Sequence, residues 1–348
     1  MGLFPRDRDL SRAPTHVELE VRACDFRVAP QEVAVRLDAF LAQKLRWRSR
    51  TSVQQLIQDG YVRLAPAGPG LGPSEADPSI ERRAARILKH GARVVVEIPP
   101  ECLLPAATAA GTPLTVLYED DHALVVDKSA GQPVHPSGRH QTNTLIQEVH
   151  AHYAQGGQLP FPVRLCHRID RETSGALLLG KGDQAHRNLR KQFEAREVEK
   201  EYLAVVQGNP SADEGEIDLP LGPALGSRVR MKIGVREGGW ESRTTWRVLE
   251  RRPDRALVAC RPLTGRQHQI RVHMAALGHP LLGDKLYGPD EELFLRSQRG
   301  ELAPEDQDSL GLERHALHSH RIAWRCPRTG ARREALSPLP ADLRQLLS

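Results

Sequence analysis

The tightest constraint on this chain is the run His167-Arg168-Ile169-Asp170-Arg171-Glu172-Thr173-Ser174-Gly175, followed at once by Ala176-Leu177-Leu178-Leu179. The short apolar run reads as a buried strand. The stretch before it then reads as a loop that carries one carboxylate, Asp170, between two arginines. Cations beside a carboxylate keep it ionised at neutral pH. That is the state a carboxylate nucleophile or general base requires. The same cations suit a polyanionic substrate. Taken alone, the cluster would serve equally well as a structural salt bridge in a hairpin-like loop.

The rest of the chain narrows the choice. At 348 residues it is long enough for one large domain and one small one. Hydrophobic residues make up 39% and the mean hydropathy is −0.47, the balance of a soluble globular protein. No apolar run reaches the ~18 residues of a membrane span. Charged residues interrupt every apolar stretch up to Pro30, so no signal-peptide pattern appears and the expected location is the cytoplasm. The five cysteines are scattered, with no Cys-x-x-Cys, and read as free thiols in a reducing compartment. A net charge of +5 leans towards a nucleic-acid partner. Aromatic residues, at 4%, are too few for broad stacking platforms.

Periodicity divides the chain. Residues 1–32 show no sustained pattern and read as a tail. Leu37, Phe40, Leu41 and Leu45 fall at helical spacing. Thr51 and Gln54 suggest a capping box for a second helix with Val53, Leu56 and Ile57 on its apolar face, stopped by Gly60. Strands follow at residues 61–64 and 93–98, separated by an insertion, residues 66–90, that ends in an expected basic helix over 81–90. A Pro- and Ala-rich linker covers 99–113, and a large domain runs over 114–348. Its strands, interrupted irregularly by a few helices, predict an α+β fold with a mixed, largely antiparallel sheet.

The loop motif closely resembles the signature of the RluA-type pseudouridine synthases, with Ile169 where leucine is usual. Four further segments resemble the same family in the same order. They are Val125 to Pro136, Lys200 to Gly208, Leu263 to Met274 with its continuation to Gly288, and Leu317 to Arg321. A weaker match, Gly239 to Trp246, has Trp240 and Ser242 where Lys and Ala are usual. The helix-helix-strand unit over 33–98 resembles the small RNA-binding domain of ribosomal protein S-four, through Arg36-Leu37-Asp38, Ser49-Arg50-Thr51, Ile57, Gly60 and Val62. Five ordered motifs are far more specific than one.

The resemblance implies isomerisation of uridine in RNA to pseudouridine. Asp170 is then the reacting carboxylate, as covalent nucleophile or as base towards a sugar proton. Arg271 holds it, and Tyr202 lines the uridine pocket. Arg168 fills the stack vacated by an extruded base. Arg266 and His268 are expected to meet RNA, Ile270 to wall the base pocket, Lys128 to position the backbone or contact a phosphate, and Arg46, Arg48 and Arg50 to contact phosphates from the small domain. No metal or organic cofactor is called for, since nothing is oxidised or reduced overall. The implied partner is RNA, with large-subunit ribosomal RNA first and transfer RNA as the alternative; no membrane and no obligate protein partner is expected, and the chain reads as a monomer. A non-catalytic RNA-binding factor is the rival reading. A protein kinase is excluded by the lack of an Asn at the right spacing after Asp170 and of Asp-Phe-Gly. A metal hydrolase is disfavoured by the lack of a His-Glu-x-x-His helix.

Overall fold

The computed structural model describes residues 16–45, 50–72, 74–97, 114–136, 143–154 and 161–348. The chain forms two compact units, residues 1–110 with 135–147, and residues 111–134 with 148–348. The expected linker, 99–113, lies outside the described residues.

In the small unit, strands β1 (His16–Glu20), β2 (Val35–Arg36), β3 (Val62–Ala65), β4 (Ser79–Ile80), β5 (Ile87–Leu88) and β6 (Arg93–Glu97) accompany helices α1 (Leu37–Lys44) and α2 (Arg50–Asp59). The sheet order is β1-β6-β3-β4. One core joins Phe40 and Leu41 of α1, Val53 and Ile57 of α2, and Val94 and Val96 of β6.

Three expectations are corrected here. Part of the expected tail is a sheet strand, because His16–Glu20 pairs antiparallel with β6 and buries Val17 and Leu19 on alternate positions. Five residues of alternation are too short to stand out in a sequence. The expected helix over 81–90 is not formed. Its backbone instead receives the first N–H groups of α1, Leu37 N donating to Arg86 O (2.8 Å) and Asp38 N to Ala84 O (3.0 Å). The capping box at Thr51 and Gln54 is also absent. The helix already includes Arg50, and the Gln54 amide donates to Asp38 Oδ2 at 2.8 Å.

The large unit contains β7 (Val116–Glu119), β8 (Ala123–Lys128), β9 (Val163–Leu165), β10 (Ser174–Lys181), β11 (Glu199–Gln207), β12 (Glu214–Asp218), β13 (Leu221–Pro223), β14 (Ile233–Val235), β15 (Arg243–Arg251), β16 (Arg255–Pro262), β17 (Leu317–Arg325) and β18 (Arg332–Leu336). Helices α4 (Asp183–Glu194), α5 (Gln269–Ala276), α6 (Glu292–Arg299), α7 (Pro304–Leu310) and α8 (Ala341–Gln345) join them, and α3 (Leu145–Tyr153) precedes β9. Among the described residues one ten-stranded sheet runs β12-β15-β16-β11-β17-β10-β8-β7, with β18 on β17 and β9 on β10. Its ladders are antiparallel except for the short parallel pairing of β10 with β17. The expected mixed, largely antiparallel α+β class is what the chain adopts.

Register brings distant residues into one row. Lys128 opposes Gly175, Gly175 opposes Ser319, and Ser319 opposes Tyr202. The row crosses β8, β10, β17 and β11 at the end where the Asp170 loop enters the sheet. Gly175 permits the parallel contact. Its φ is +105°, and a Cβ there would stand 2.3 Å from Ser319 O. Gly175→Ala is therefore expected to lower stability by at least ~2 kcal/mol in urea unfolding. An unchanged midpoint would show that the close approach relaxes freely.

Candidate active site

Asp170 sits on the loop between β9 and β10. Its side chain is 29% exposed and Oδ2 accepts from Arg271 Nη1 at 2.9 Å. Arg271 projects from α5 and is only 8% exposed. The other edge of its guanidinium forms a fork with Asp284, Nε to Oδ2 at 2.7 Å and Nη2 to Oδ1 at 2.8 Å. Asp284, fully buried, also accepts the backbone N–H groups of Leu286 and Tyr287, both at 3.0 Å. One cation thus bridges a buried carboxylate and an accessible one.

The electrostatics follow. Burial by itself would raise the Asp170 pKa; the charge and hydrogen bond of Arg271, with the groups around them, hold the carboxyl below its ordinary value. Burial pulls the His268 and His315 imidazoles down to about 4, so at pH 7 they are neutral and Arg271 is the foremost charge favouring ionised Asp170. Burial raises Asp284 as well, and Arg271 again reverses the direction.

Neutral imidazoles and buried cations lock the loop. Lys128 is 1% exposed and donates to the carbonyls of Ser129 (2.7 Å), Arg171 (2.8 Å) and Gln132 (2.9 Å). Thr173 Oγ1 meets His315 Nε2 at 2.7 Å, and Ser174 Oγ meets His318 Nδ1 at 2.9 Å. Glu172 pairs with Lys285 at 3.3 Å and accepts from His315 N at 3.2 Å. The Leu178 N–H donates to His167 Nε2 at 3.1 Å, and the His167 ring stacks on Phe193.

On the far side of Asp170, His268 Nδ1 pairs with Tyr287 Oη at 2.8 Å. That hydroxyl, which burial keeps protonated, also accepts from Ile233 N at 3.0 Å. His268 Nε2 lies 4.0 Å from Asp170 Oδ1. The Arg271 guanidinium lies over the Tyr287 ring, 5.0 Å from its centroid. Tyr202 and Ile270, 8% and 5% exposed, share one apolar cluster, with Ile169 packed against it. Burial pushes the Tyr202 hydroxyl up to about 12, with the Asp170 charge adding to the rise.

The structure therefore brings Asp170, Arg271, Tyr202, His268 and Ile270 into one region. Lys128 donates to three backbone carbonyls and lies too deep to reach a phosphate, which leaves it the backbone-positioning role of the two expected. His268 and Ile270 are buried beside Asp170, Ile270 in the apolar cluster of Tyr202. Arg50 is tied to the buried Asp38 at 3.0 Å, together with Arg36, and so pins α2 to α1. Arg168 is exposed, with no hydrogen bond or ion pair among the described residues. Arg266 is half-buried and donates to Glu241 O at 3.1 Å. Arg46 and Arg48 lie outside the described residues. Sequence reasoning gave no role to Asp284, Tyr287, Lys285 or His315, although Gly283-Asp284 and Tyr287-Gly288 stood in a recognised motif.

Lys128→Met removes the donor for three carbonyls at once and is expected to cost about 2–4 kcal/mol of stability in urea unfolding. A phosphate-contacting lysine on the surface would leave the midpoint where it is.

Comparison with known proteins agrees with this geometry. The family model for RNA pseudouridylate synthases matches residues 122–276. An uncharacterised RNA pseudouridine synthase of Bacillus subtilis is 35% identical over 326 residues, covering 93% of this chain and 96% of that protein. A protein of Zymomonas mobilis named ribosomal large subunit pseudouridine synthase D is 33% identical over 318 residues, covering 89% and 92%. Among solved structures, human RNA pseudouridylate synthase domain containing 4 shares the fold, with a TM-score of 0.52 and 23% identity over 66% of this chain and 90% of that one. With its acidic loop, arginine clamp and sheet in place, this chain belongs to the RNA pseudouridine synthase family, isomerases that act on RNA.

Proposed function

We propose that this enzyme isomerises uridines in large-subunit ribosomal RNA, with Asp170 as the reacting carboxylate. The observation that carries the assignment of Asp170 is its 2.9 Å contact with Arg271, which keeps an accessible carboxylate ionised inside a largely buried site. The ribosomal target is supported by the name of the Zymomonas relative, which aligns over most of both chains.

The reaction breaks the bond from ribose C1′ to uracil N1, turns the base, and joins C5 to C1′. The C5 proton is lost and N1 gains one, so the balance is an isomerisation. A carboxylate assists departure of a group from an electron-poor sugar carbon, as in glycoside cleavage. Asp170 either attacks C1′ or removes the C2′ proton, and both courses begin from the ionised form. The apolar cluster of Tyr202, Ile270 and Ile169 supplies a dry surface for the uracil, with the Tyr202 ring suited to stacking. Arg168, exposed and with no partner among the described residues, takes the place of the extruded base, a task for which a planar guanidinium is well shaped. The small unit adds RNA affinity through Arg46 and Arg48. We assign a monomer in the cytoplasm; no helix among the described residues is long and apolar enough to cross a membrane.

Unmodified ribosomal and transfer RNA, incubated with the enzyme and mapped by carbodiimide primer extension, test the assignment. Wild type should give new stops in large-subunit RNA, and Asp170→Asn none. Stops confined to transfer RNA would move the target, and none in any RNA would favour a binding role. Arg168→Ala should lower kcat/KM at least ~10-fold more on folded RNA than on a short single strand. Equal losses on both would remove Arg168 from base extrusion.

A further inference from the structure

We propose that Trp240 is a stacking platform for an unpaired base adjacent to the target uridine, and so helps select which RNA site is modified. The inference rests on the synthase reading and extends it to the neighbouring nucleotides.

Trp240 is 49% exposed, whereas the other two described tryptophans, Trp246 and Trp324, are 7% and 1% exposed. An indole this exposed leaves a flat face open on which a base can stack. Its backbone is rigid. Trp240 N donates to Leu221 O at 2.7 Å, Leu221 N to Trp240 O at 3.0 Å, and Ser242 Oγ to Trp240 O at 2.8 Å. Gly239 lets the chain cross β13 closely, since a Cβ there would stand 2.5 Å from Leu221 O. A side chain held on a fixed backbone loses little entropy when a base stacks on it.

The platform belongs to the same end of the unit as Asp170. Leu221 packs in one cluster with Tyr287 and Val272. Ile233, on the β14 strand paired with β13, donates its N–H to Tyr287 Oη, and Tyr287 bonds His268. His268 in turn lies 4.0 Å from Asp170. The connection between β13 and β14 also touches the approach to α5, through a Gln267 contact with Met231 O at 3.5 Å.

Charge identifies the occupant. Arg196 and Arg243 pair with the carboxylate of Glu241, the residue after Trp240, and Arg266 bonds its carbonyl; with Glu216 also beside Arg243, three cations face two carboxylates. Arg230 and Arg236, on the same hairpin, are exposed and have no acidic partner among the described residues. An exposed indole on a segment this rich in guanidinium groups matches a base flanked by phosphates. An apolar protein partner would have to cover those charges without compensation.

The test uses a short transcript spanning the uridine mapped as substrate, in which each flanking nucleotide is made abasic in turn. Its turnover by wild type is fixed beforehand, so failure of the platform would leave the synthase assignment intact. Trp240→Ala should raise KM about 10-fold with kcat within about twofold, and Trp240→Phe should stay close to wild type. One abasic position should raise the wild-type KM by a similar factor and add nothing further in Trp240→Ala. RNA binding should quench the wild-type tryptophan fluorescence, and Trp240→Phe should lose that quench. An unchanged KM in Trp240→Ala, or losses that multiply at every abasic position, would overturn the proposal.

Discussion

Everything in the site depends on how a single guanidinium is shared. Arg271 is nearly buried, and a buried cation is tolerable only with opposite charge and filled hydrogen bonds around it. Asp284 meets that need and is itself held by two backbone N–H groups. The fork between them uses Nε and Nη2 and leaves Nη1 pointing at Asp170. The aim of the Asp170 carboxylate is therefore set by the turn around Asp284. That turn depends on Gly283, at φ +69°, where a Cβ would lie 2.0 Å from Arg314 O. A lysine could supply the charge but not the two-sided geometry.

The loop around Asp170 is fixed from several directions at once. Lys128 holds its carbonyl side, His315 and His318 take its hydroxyls, and Lys285 holds Glu172. The two imidazoles serve as neutral hydrogen-bond partners, because burial keeps His315 near 4 and holds His318 below its ordinary value. A carboxylate fixed before substrate arrives needs no reorganisation at the moment of reaction, which is where much of an enzyme's electrostatic advantage lies.

Local chemistry was readable from the chain where the signal was local. The Asp170 loop, the buried strand after it and the strand-turn-helix around Arg271 follow from apolar runs and glycine positions. Pairings across 13 to 142 residues leave no periodic trace, so the roles of Asp284 and His315 were invisible until the fold joined them to Arg271 and Thr173. For Lys128 the chain left backbone positioning and phosphate contact both open, and only its position opposite Gly175, beneath the loop, decides between them. The segment 81–90 carried helical composition, but its carbonyls were needed to receive the start of α1. His16–Glu20 alternated correctly yet was too short to register without its partner, β6.

The central claim is that Arg271 is the foremost charge keeping Asp170 ionised against burial. It is tested most directly by following the Asp170 carboxyl carbon by NMR as pH is lowered, with the resonance assigned by its loss in Asp170→Asn. The measurement is made on the wild type and on an Arg271→Gln, Asp284→Asn double variant, which leaves no unpaired carboxylate beside the substitution. In the wild type the Asp170 midpoint should lie below that of an ordinary aspartate. In the double variant, where burial persists without the cation, it should rise above that value. A wild-type midpoint at or above the ordinary value, or one that does not move when Arg271 is lost, would contradict the account.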